Sequence, residues 1–373
     1  MTSLNSYSFS GHESFPFRYT WLKKGYNAVK INPQIFSRKE APVELGVGKN
    51  MVRSIRYWGL ATGILEEDLG VSNNRGRYLK TTHLGDLLLG SEGCDPFLED
   101  EGTIWLLHWF IVTNRHRATT WTYAFGHLNR IDFSKDDLIG ELLDLVLRSN
   151  GSRVSKNTLK RDVDAFIRTY VPSKESRTLV LEDTLDCPLV ELNLIREAGW
   201  RSHYKFHRGP KPTLPDLVFT FALCEFWNRS FPSVNTMSFE EVAYHPESPG
   251  RIFKLDEDSL AIRLESLNGL TGDQLRLDET AGLRQILRVG PIDPASFLHK
   301  YYGIVPGASS EIEKYKEYIQ RLDSKTSGVL TLEEGEDLKT VRADLLRAAN
   351  ILGCNLNVKT SENQLFFQRI KHK

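Results

Sequence analysis

The stretch EAPVELGVGKNMVRSIRYWGLATGILEE, residues 40–67, decides how the first part of the chain folds. It predicts a short helix ending near Leu45, a turn at Gly46-Val47-Gly48, and a second helix from about Lys49 to Trp58. The inner face of the second helix recurs at helical spacing and consists of Met51, Val52, Ile55 and Trp58. This order of helix, turn and helix is typical of a helix-turn-helix.

The outer side of that second helix is basic, and a helix of this kind fits the DNA major groove. The strand-like ILEE, a turn at residues 73–77 and the capped helix TTHLGDLLLG complete a predicted winged helix. The alternative is a helix-turn-helix used for packing or as a protein interface. The candidate DNA contacts of this unit are Lys49, Asn50, Arg53, Arg56, Tyr57, Arg75 and Arg77.

A second helix-turn-helix pattern follows at residues 136–170. Ser155 or Asn157 is expected to cap its second helix, whose inner stripe is Leu159, Val163, Phe166, Ile167 and Tyr170. Residues 148–161 are basic and contain no acidic side chain, which indicates a phosphate-contacting surface. A solvated basic helix is the alternative. The candidate contacts are Arg153, Lys156, Lys160 and Arg161.

The rest of the chain continues the pattern and then departs from it. Residues 214–288 predict a third, degenerate unit whose corresponding helix is acidic, which suits packing or partner binding better than DNA. The tail predicts strand, helix, strand, turn and strand. The fold class is therefore mainly α with small β (α+β), with tandem winged-helix or helix-turn-helix-like units. The predicted domains are 1–92, 93–180, 181–300 and a small α/β module at 308–373.

Composition excludes several classes of protein. The 373 residues carry 48 basic and 48 acidic side chains, so a protein that coats nucleic acid indiscriminately is not expected. No apolar run approaches the roughly 18 residues of a membrane span, and no signal peptide is predicted. The four cysteines form no C-x-x-C pair, which favours a reduced, cytoplasmic compartment.

The common catalytic motifs are absent from the sequence. It has no Walker loop, no G-x-G-x-x-G and no H-E-x-x-H. His203 and His207 have the spacing of two ligands on a helix, but no third ligand is spaced nearby, and no metal site is predicted. The same segment is basic and aromatic, so Lys205 and Arg208 are instead candidate contacts to a nucleic-acid backbone.

The segment YSFSGHESFPFRYTWLKKG, residues 7–25, is the remaining unusual feature. Its aromatic residues alternate from Phe15 onward, which favours a strand or extended segment. One interpretation is an N-terminal strap that Glu13 and Arg18 clamp to the first winged helix. The other makes the three side chains catalytic, with His12 as general acid or base, Glu13 tuning it and Arg18 binding a phosphate.

Three motifs, FSGHESFPFRYTWLKKGY, LGVGKNMVRSIRYW and WLLHWFIVTNRHRATTWTYAF, give the chain a family resemblance over residues 7–300. They resemble a bacterial family catalogued as a domain of unknown function, found in DNA phosphorothioation and phage-defence gene clusters and similar to the nickase-like SspB component. The family motif maps onto Gly11, His12, Glu13, Phe15, Pro16, Arg18 and Trp21.

The resemblance implies a DNA-binding subunit that introduces or assists single-strand nicks in double-stranded DNA, so that sulfur replaces a non-bridging phosphate oxygen. The expected partners are double-stranded DNA and the sulfur-transfer proteins of the same system, with no membrane; a homodimer is left open. Mg²⁺ would be the cofactor of a nickase. The alternative is a non-enzymatic winged-helix adaptor or regulator that recruits a modification enzyme to DNA.

Overall fold

A computed structural model defines the fold. It describes residues 7–149, 154–172, 187–199, 202–280, 282–304, 308–322, 327–332, 338–352, 354–361 and 364–370. These residues belong to two compact units, Met1–Phe297 and Leu298–Lys373. Each unit buries an apolar core of its own.

The larger unit begins with the predicted order of helix, turn, helix and hairpin. Its first elements are α1 (Tyr19–Ile31), α2 (Ala41–Leu45), α3 (Lys49–Ala61), β1 (Leu65–Glu67), β2 (Leu79–Thr81) and α4 (His83–Leu89). Gly46 ends α2 with φ of 62°, a left-handed conformation that suits glycine and turns the chain into α3. Val52, Ile55 and Trp58 are buried, as the inner stripe predicts. The strands β1 and β2 pair antiparallel.

The aromatic segment before α1 was predicted to be extended, and that prediction is wrong from Tyr19 onward. Tyr19 begins a helix whose N-cap residue, Arg18, is the last extended position. Phe17 and Trp21 are both buried. Phe17 precedes the helix, so it does not share a helical face with Trp21. The residues that α1 buries recur at helical spacing, namely Trp21, Leu22, Gly25, Tyr26 and Val29.

The next part of the larger unit contains the predicted second helix pair. Its elements are α5 (Glu101–Thr113), α6 (Thr119–Thr122), a π-helical turn (Tyr123–His127), β3 (Asp132–Ser134), α7 (Lys135–Arg148), α8 (Lys156–Tyr170), a 3₁₀ turn (Pro188–Leu192), β4 (Ile195–Glu197) and β5 (His203–Phe206). Ser134 forms a capping box at the start of α7, and Ser155 caps α8. All five residues of the predicted inner stripe of α8 are buried. The sheet order is β3-β5-β4.

The last part of the larger unit repeats this topology. Its elements are α9 (Asp216–Ser230), β6 (Thr236–Ser238), α10 (Phe239–Tyr244), α11 (Pro249–Ile252), α12 (Glu257–Glu265), α13 (Leu267–Thr271), β7 (Leu275–Thr280) and β8 (Leu283–Arg288). The next helix, α14 (Ala295–Tyr301), includes the last residues of the larger unit and the first of the smaller one. The sheet order is β6-β8-β7, so the strand that precedes the helices again pairs with the last strand.

The smaller unit follows the strand and helix order that the tail predicts, with one additional helix at its start. Its elements are α15 (Ala308–Gln320), β9 (Ser327–Thr331), α16 (Leu338–Ile351), β10 (Asn355–Ser361) and β11 (Gln364–Ile370), with the sheet order β10-β11-β9. Four apolar residues of α16 are buried in its core, namely Val341, Leu345, Ala348 and Ala349. The predicted hairpin turn includes residues 362–363, which lie outside the described residues.

The architecture is therefore α+β, with four small antiparallel sheets among the described residues and helices that supply most of the core. None of the described helices has the length and apolar character that a membrane crossing requires.

Candidate functional site

His12 lies at the tip of a tight loop before α1 and is completely buried. Ser10, Glu13 and Ser14 have φ of 64°, 49° and 68°, so three residues without the freedom of glycine adopt left-handed conformations here. This strained loop lets the Ser14 N–H donate to His12 Nδ1 at 3.0 Å. Because Nδ1 accepts, Nε2 carries the ring proton and donates to Asp162 Oδ1 at 2.7 Å.

Asp162 is the centre of this buried network. It lies on the inner side of α8 and is 1 % exposed. Its carboxylate also accepts from the Ser10 N–H at 2.5 Å and from the Thr120 hydroxyl. Neither Asp162 nor Thr120 was among the predicted site residues. The sequence signal that could have revealed Asp162 was an acidic residue beside the apolar stripe of α8. A carboxylate buried at such a position requires hydrogen-bond partners, so it indicates a buried polar network.

Three aromatic rings enclose the His12 imidazole. The ring centroids of Tyr57, Trp58 and Trp121 lie 5.5, 6.3 and 5.6 Å from it. Tyr57 was predicted on the outer stripe of α3, and the structure corrects this: its ring is buried and its hydroxyl donates to the Arg117 carbonyl at 3.0 Å. Burial raises the pKa of Tyr57 well above its ordinary value. Tyr57 thus belongs to the enclosure of His12 and not to the outer face.

The other two predicted catalytic side chains are directed to different partners. The Glu13 carboxylate lies 3.1 Å from Arg53 Nη1 on α3. The Arg18 guanidinium lies over the Trp21 ring, 5.4 Å from its centroid. The three side chains that were predicted to act together therefore have three different partners, namely Asp162, Arg53 and Trp21.

The outer face of α3 is joined to the β1–β2 hairpin loop. Arg56 Nη2 donates to the Gly76 carbonyl at 2.9 Å and lies 3.7 Å from a Glu67 carboxylate oxygen. Burial lowers the pKa of Arg56, and nearby Arg117 lowers it further. The Asn74 side chain braces the loop through bonds to the backbone of Asp68 and Tyr78. The loop is therefore positioned against the helix.

We call the exposed polar residues of this region the α3–hairpin surface. Its members are Lys49, Asn50, Arg53, Arg75 and Arg77. Arg53 is paired with Glu13, whereas Lys49, Arg75 and Arg77 have no carboxylate oxygen within 4.0 Å among the described residues.

A second basic surface occupies the start of α8. Lys156, Lys160 and Arg161 are exposed and form what we call the α8 surface. They also have no carboxylate oxygen within 4.0 Å in the described part of the chain, and the first turn of α8 contains no acidic residue. The positive end of the helix dipole adds to their charge. Arg153, predicted beside them, lies outside the described residues.

The basic segment after β4 is partly engaged by the protein itself. Lys205 is exposed on β5. Arg208 donates through Nε to the Leu255 carbonyl at 3.0 Å and lies over the Tyr244 ring. Lys211 is 4 % exposed, and burial lowers its pKa to about 8.

The described residues contain no group of three or more His, Cys, Asp or Glu side chains arranged to hold a metal ion. His203 lies on β5, so the spacing of His203 and His207 is not that of two ligands on a helix.

The fold and these surfaces define a multi-module α+β protein with two basic helical surfaces and a buried His–Asp network between their helices. The chain belongs to the family described as "Protein of unknown function (DUF4007)", whose profile matches residues 9–302. This confirms the family resemblance predicted from its motifs.

Solved structures agree with the family assignment. The chain is similar to a crystal structure of SspB, with 32 % identity and a TM-score of 0.72, covering 80 % of this chain and 88 % of that chain. A crystal structure of magnesium ion-bound SspB matches with the same identity, TM-score and coverage. No curated protein matches the chain.

Proposed function

We propose that the chain is the DNA-binding subunit of a DNA phosphorothioation or phage-defence system. In this role it introduces or assists single-strand nicks in double-stranded DNA, so that sulfur can be incorporated by partner proteins of the same system. Membership of the family and 32 % identity to SspB over 80 % of the chain support this proposal.

One contact carries the DNA-binding part of the proposal, namely the hydrogen bond from Arg56 to the Gly76 carbonyl. Arg75 and Arg77 flank Gly76, so this bond holds the loop cations beside the outer face of α3. A basic helix with a basic hairpin beside it is the arrangement by which a winged helix contacts the major groove and the adjacent backbone. We therefore assign α1–α3 with the β1–β2 hairpin as a winged helix that reads DNA.

The two three-stranded sheets of the larger unit support further units of the same kind. In each, a strand precedes the helices and pairs with the last of the two strands that follow. The helix α12 of the last unit begins with the exposed acidic residues Glu257 and Asp258. Because these would repel phosphate, we assign DNA contact to the α8 surface, with Lys205 as an additional contact, and packing or partner binding to the α12 unit.

The chemical step is a separate part of the proposal. A nickase mechanism would use His12 as general acid or base, Glu13 to tune it and Arg18 to bind a phosphate. The burial of His12 requires the loop at residues 10–14 to open before the imidazole meets DNA. Magnesium is bound in a related SspB structure, but no cluster of carboxylate or histidine ligands among the described residues of this chain fits an ion.

The second candidate function is a non-enzymatic adaptor that recruits a modification enzyme to DNA. The complete burial of His12, with both ring nitrogens occupied by protein partners, favours this alternative. In the adaptor, the His12–Asp162 network only holds the loop between α3 and α8.

DNA binding is tested by the salt dependence of affinity for a DNA duplex, measured by fluorescence anisotropy. The triple variant Lys49→Gln, Arg75→Gln and Arg77→Gln is expected to reduce the slope of log K against log salt by about 3, roughly 1 for each phosphate contact. The control is the triple variant Arg276→Gln, Lys314→Gln and Lys359→Gln, which removes the same charge from exposed positions elsewhere. Equal slopes for the two variants would rule out the α3–hairpin surface as a DNA interface.

Nicking is tested with supercoiled plasmid and Mg²⁺. The nickase predicts relaxed plasmid with the wild-type chain and none with Glu13→Ala, a partly exposed position whose change leaves the buried network intact. If the plasmid stays intact with every divalent metal tried while the chain still binds a DNA duplex, the nickase function is excluded and the adaptor function is supported.

A further inference from the structure

A cationic cavity lies where the π-helical turn and β5 approach α10 and α11. It is a cavity of about 160 Å³, and four of its lining residues are cations, namely Arg130, Arg208, Arg251 and Lys254. No carboxylate lines it. The whole chain has equal numbers of acidic and basic residues, so this one-sided lining is a local arrangement.

Backbone carbonyls hold three of these cations while leaving donors free. Arg251 donates through Nε to the Gly126 carbonyl and through Nη2 to Leu128 O and Asn129 Oδ1. Lys254 Nζ donates to Phe125 O at 2.8 Å. The Arg251 Nη1 group, both Arg208 Nη groups and two Lys254 N–H bonds have no partner among the described residues.

Arg208, Arg251 and Lys254 form no ion pair with a described carboxylate, although the pKa of the Asp256 carboxyl is lowered by its bond from Ser259 and also by the Arg208 charge. None has a carboxylate oxygen within 4.0 Å among the described residues, whereas Arg130 has Asp137 at 3.1 Å. Burial, and then the neighbouring Arg251 and Arg208, lower the pKa of Lys254 well below its usual value. Placing Lys254 beside two guanidinium groups without a paired carboxylate is unfavourable, so a bound anion would stabilise this arrangement.

We propose that this cavity, the oxyanion pocket, binds a single tetrahedral oxyanion of the phosphate or sulfate class through Arg208, Arg251 and Lys254. Two guanidinium groups and an ammonium group supply the charge-assisted donors that such an anion accepts. The volume is below the roughly 300–1,000 Å³ of pockets that enclose whole drug-sized ligands, so one oxyanion group is enclosed and not an entire nucleotide.

Two sources can present this group, a free ion and a phosphate of the DNA backbone. The proposal does not require the DNA-binding function, because a free ion alone satisfies it. Titration calorimetry of the full chain with sodium phosphate and sodium sulfate, at an ionic strength kept constant with chloride, tests the free ion. Wild type is expected to bind one ion per chain, and Arg208→Gln to weaken this at least about tenfold.

Two further variants make the measurement specific. Lys254→Met keeps the packing against Phe206, whose ring centroid lies 4.2 Å from Nζ, and is expected to weaken binding to a similar extent. If that variant does not fold, Arg208→Gln still decides the test, because Arg208 is exposed. Arg276→Gln removes an exposed cation elsewhere and is expected to leave the affinity unchanged.

A DNA duplex titrated into the same variants separates the two sources. Phosphate or sulfate binding lost in Arg208→Gln supports a free ion. Duplex affinity that falls in Arg208→Gln but not in Arg276→Gln, without binding of the free ions, supports a backbone phosphate. If neither the ions nor the duplex respond to Arg208→Gln, the oxyanion pocket is refuted, whatever the result at the α3–hairpin surface.

Discussion

The helices α3 and α8 have the same pattern and use their charges differently. Each buries an apolar stripe and carries cations on its outer side. On α3, Arg53 pairs with Glu13, and Arg56 holds Gly76 and Glu67. On α8, the three cations of the α8 surface have no carboxylate partner among the described residues. A basic stripe in a sequence therefore does not reveal whether its charge is available to an external anion.

The two helices are connected through the loop at residues 10–15. From α3, the Ser54 hydroxyl donates to the His12 carbonyl at 3.0 Å, and Trp58 Nε1 donates to the Phe15 carbonyl at 3.0 Å. From α8, Asp162 accepts from His12, and Arg168 donates to the Ser14 carbonyl. The charges of α3 position this loop and the hairpin, whereas the three cations of the α8 surface form no ion pair among the described residues.

The largest expected effect on stability follows from removing the Asp162 carboxylate, which connects the loop to α8. Asp162→Ala leaves His12 Nε2, the Ser10 N–H and the Thr120 hydroxyl without their acceptor, and should lower the free energy of unfolding by about 3–5 kcal/mol. Urea denaturation measures it. The control Asp164→Ala, on the same helix, removes only a partly exposed pair with Lys135 and should cost at most about 1 kcal/mol. Similar losses in the two variants would show that the loop does not depend on Asp162.

A smaller effect concerns the other end of α8 and depends on pH. Tyr170 donates to His108 Nδ1 at 2.8 Å, and His108 Nε2 lies 3.2 Å from the Ile252 carbonyl. Burial lowers the pKa of His108 to about 3. The unfolded chain binds this proton more readily, so stability should fall by roughly 3 kcal/mol as the pH drops from about 6.5 to about 4.

The check is the free energy of unfolding between pH 7 and pH 3.5 in wild type and in His108→Gln. The variant is expected to be less stable at pH 7 and less sensitive to acid, because the titrating ring is gone. If both proteins lose the same stability on acidification, His108 does not anchor α8 through its neutral state.

The two basic helices are expected to contribute unequally to DNA binding. Lys156→Gln, Lys160→Gln and Arg161→Gln together should reduce the salt slope of duplex binding by about 3, since each side chain is free to meet a phosphate. Arg53→Gln and Arg56→Gln together should reduce it by less than about 1, because these cations already have protein partners. The reverse order of the two effects would contradict the contrast between α3 and α8.

The smallest expected effect is the coupling between Arg53 and Glu13. A double-mutant cycle with Arg53→Ala and Glu13→Ala should give about 0.2–1 kcal/mol, the usual range for an exposed pair. Chemical denaturation at low and high salt measures it, and the coupling should weaken as salt rises. A coupling that is absent at low salt would show that the pair does not hold the loop to α3.

Local patterns in the sequence predicted much of the fold. Apolar residues at helical spacing indicated α3, α8 and α16, and Gly46 indicated the turn between α2 and α3. Helix periodicity and turn chemistry act over a few residues, so they can be recognised in a sequence. The segment around Tyr19 was mispredicted because its alternating aromatic residues cross from an extended stretch into the start of α1.

The sequence by itself determined the order of helices and hairpins, the apolar stripe of each main helix and the motifs that identify the family. Only the tertiary structure decided that His12 meets Asp162, 150 positions away, and that Tyr57 faces inward. It also decided which cations are paired and brought Arg208 beside Arg251 and Lys254 in one cavity. The physical reason is that burial and electrostatic pairing depend on distances across the folded chain, which no local spacing of residues specifies.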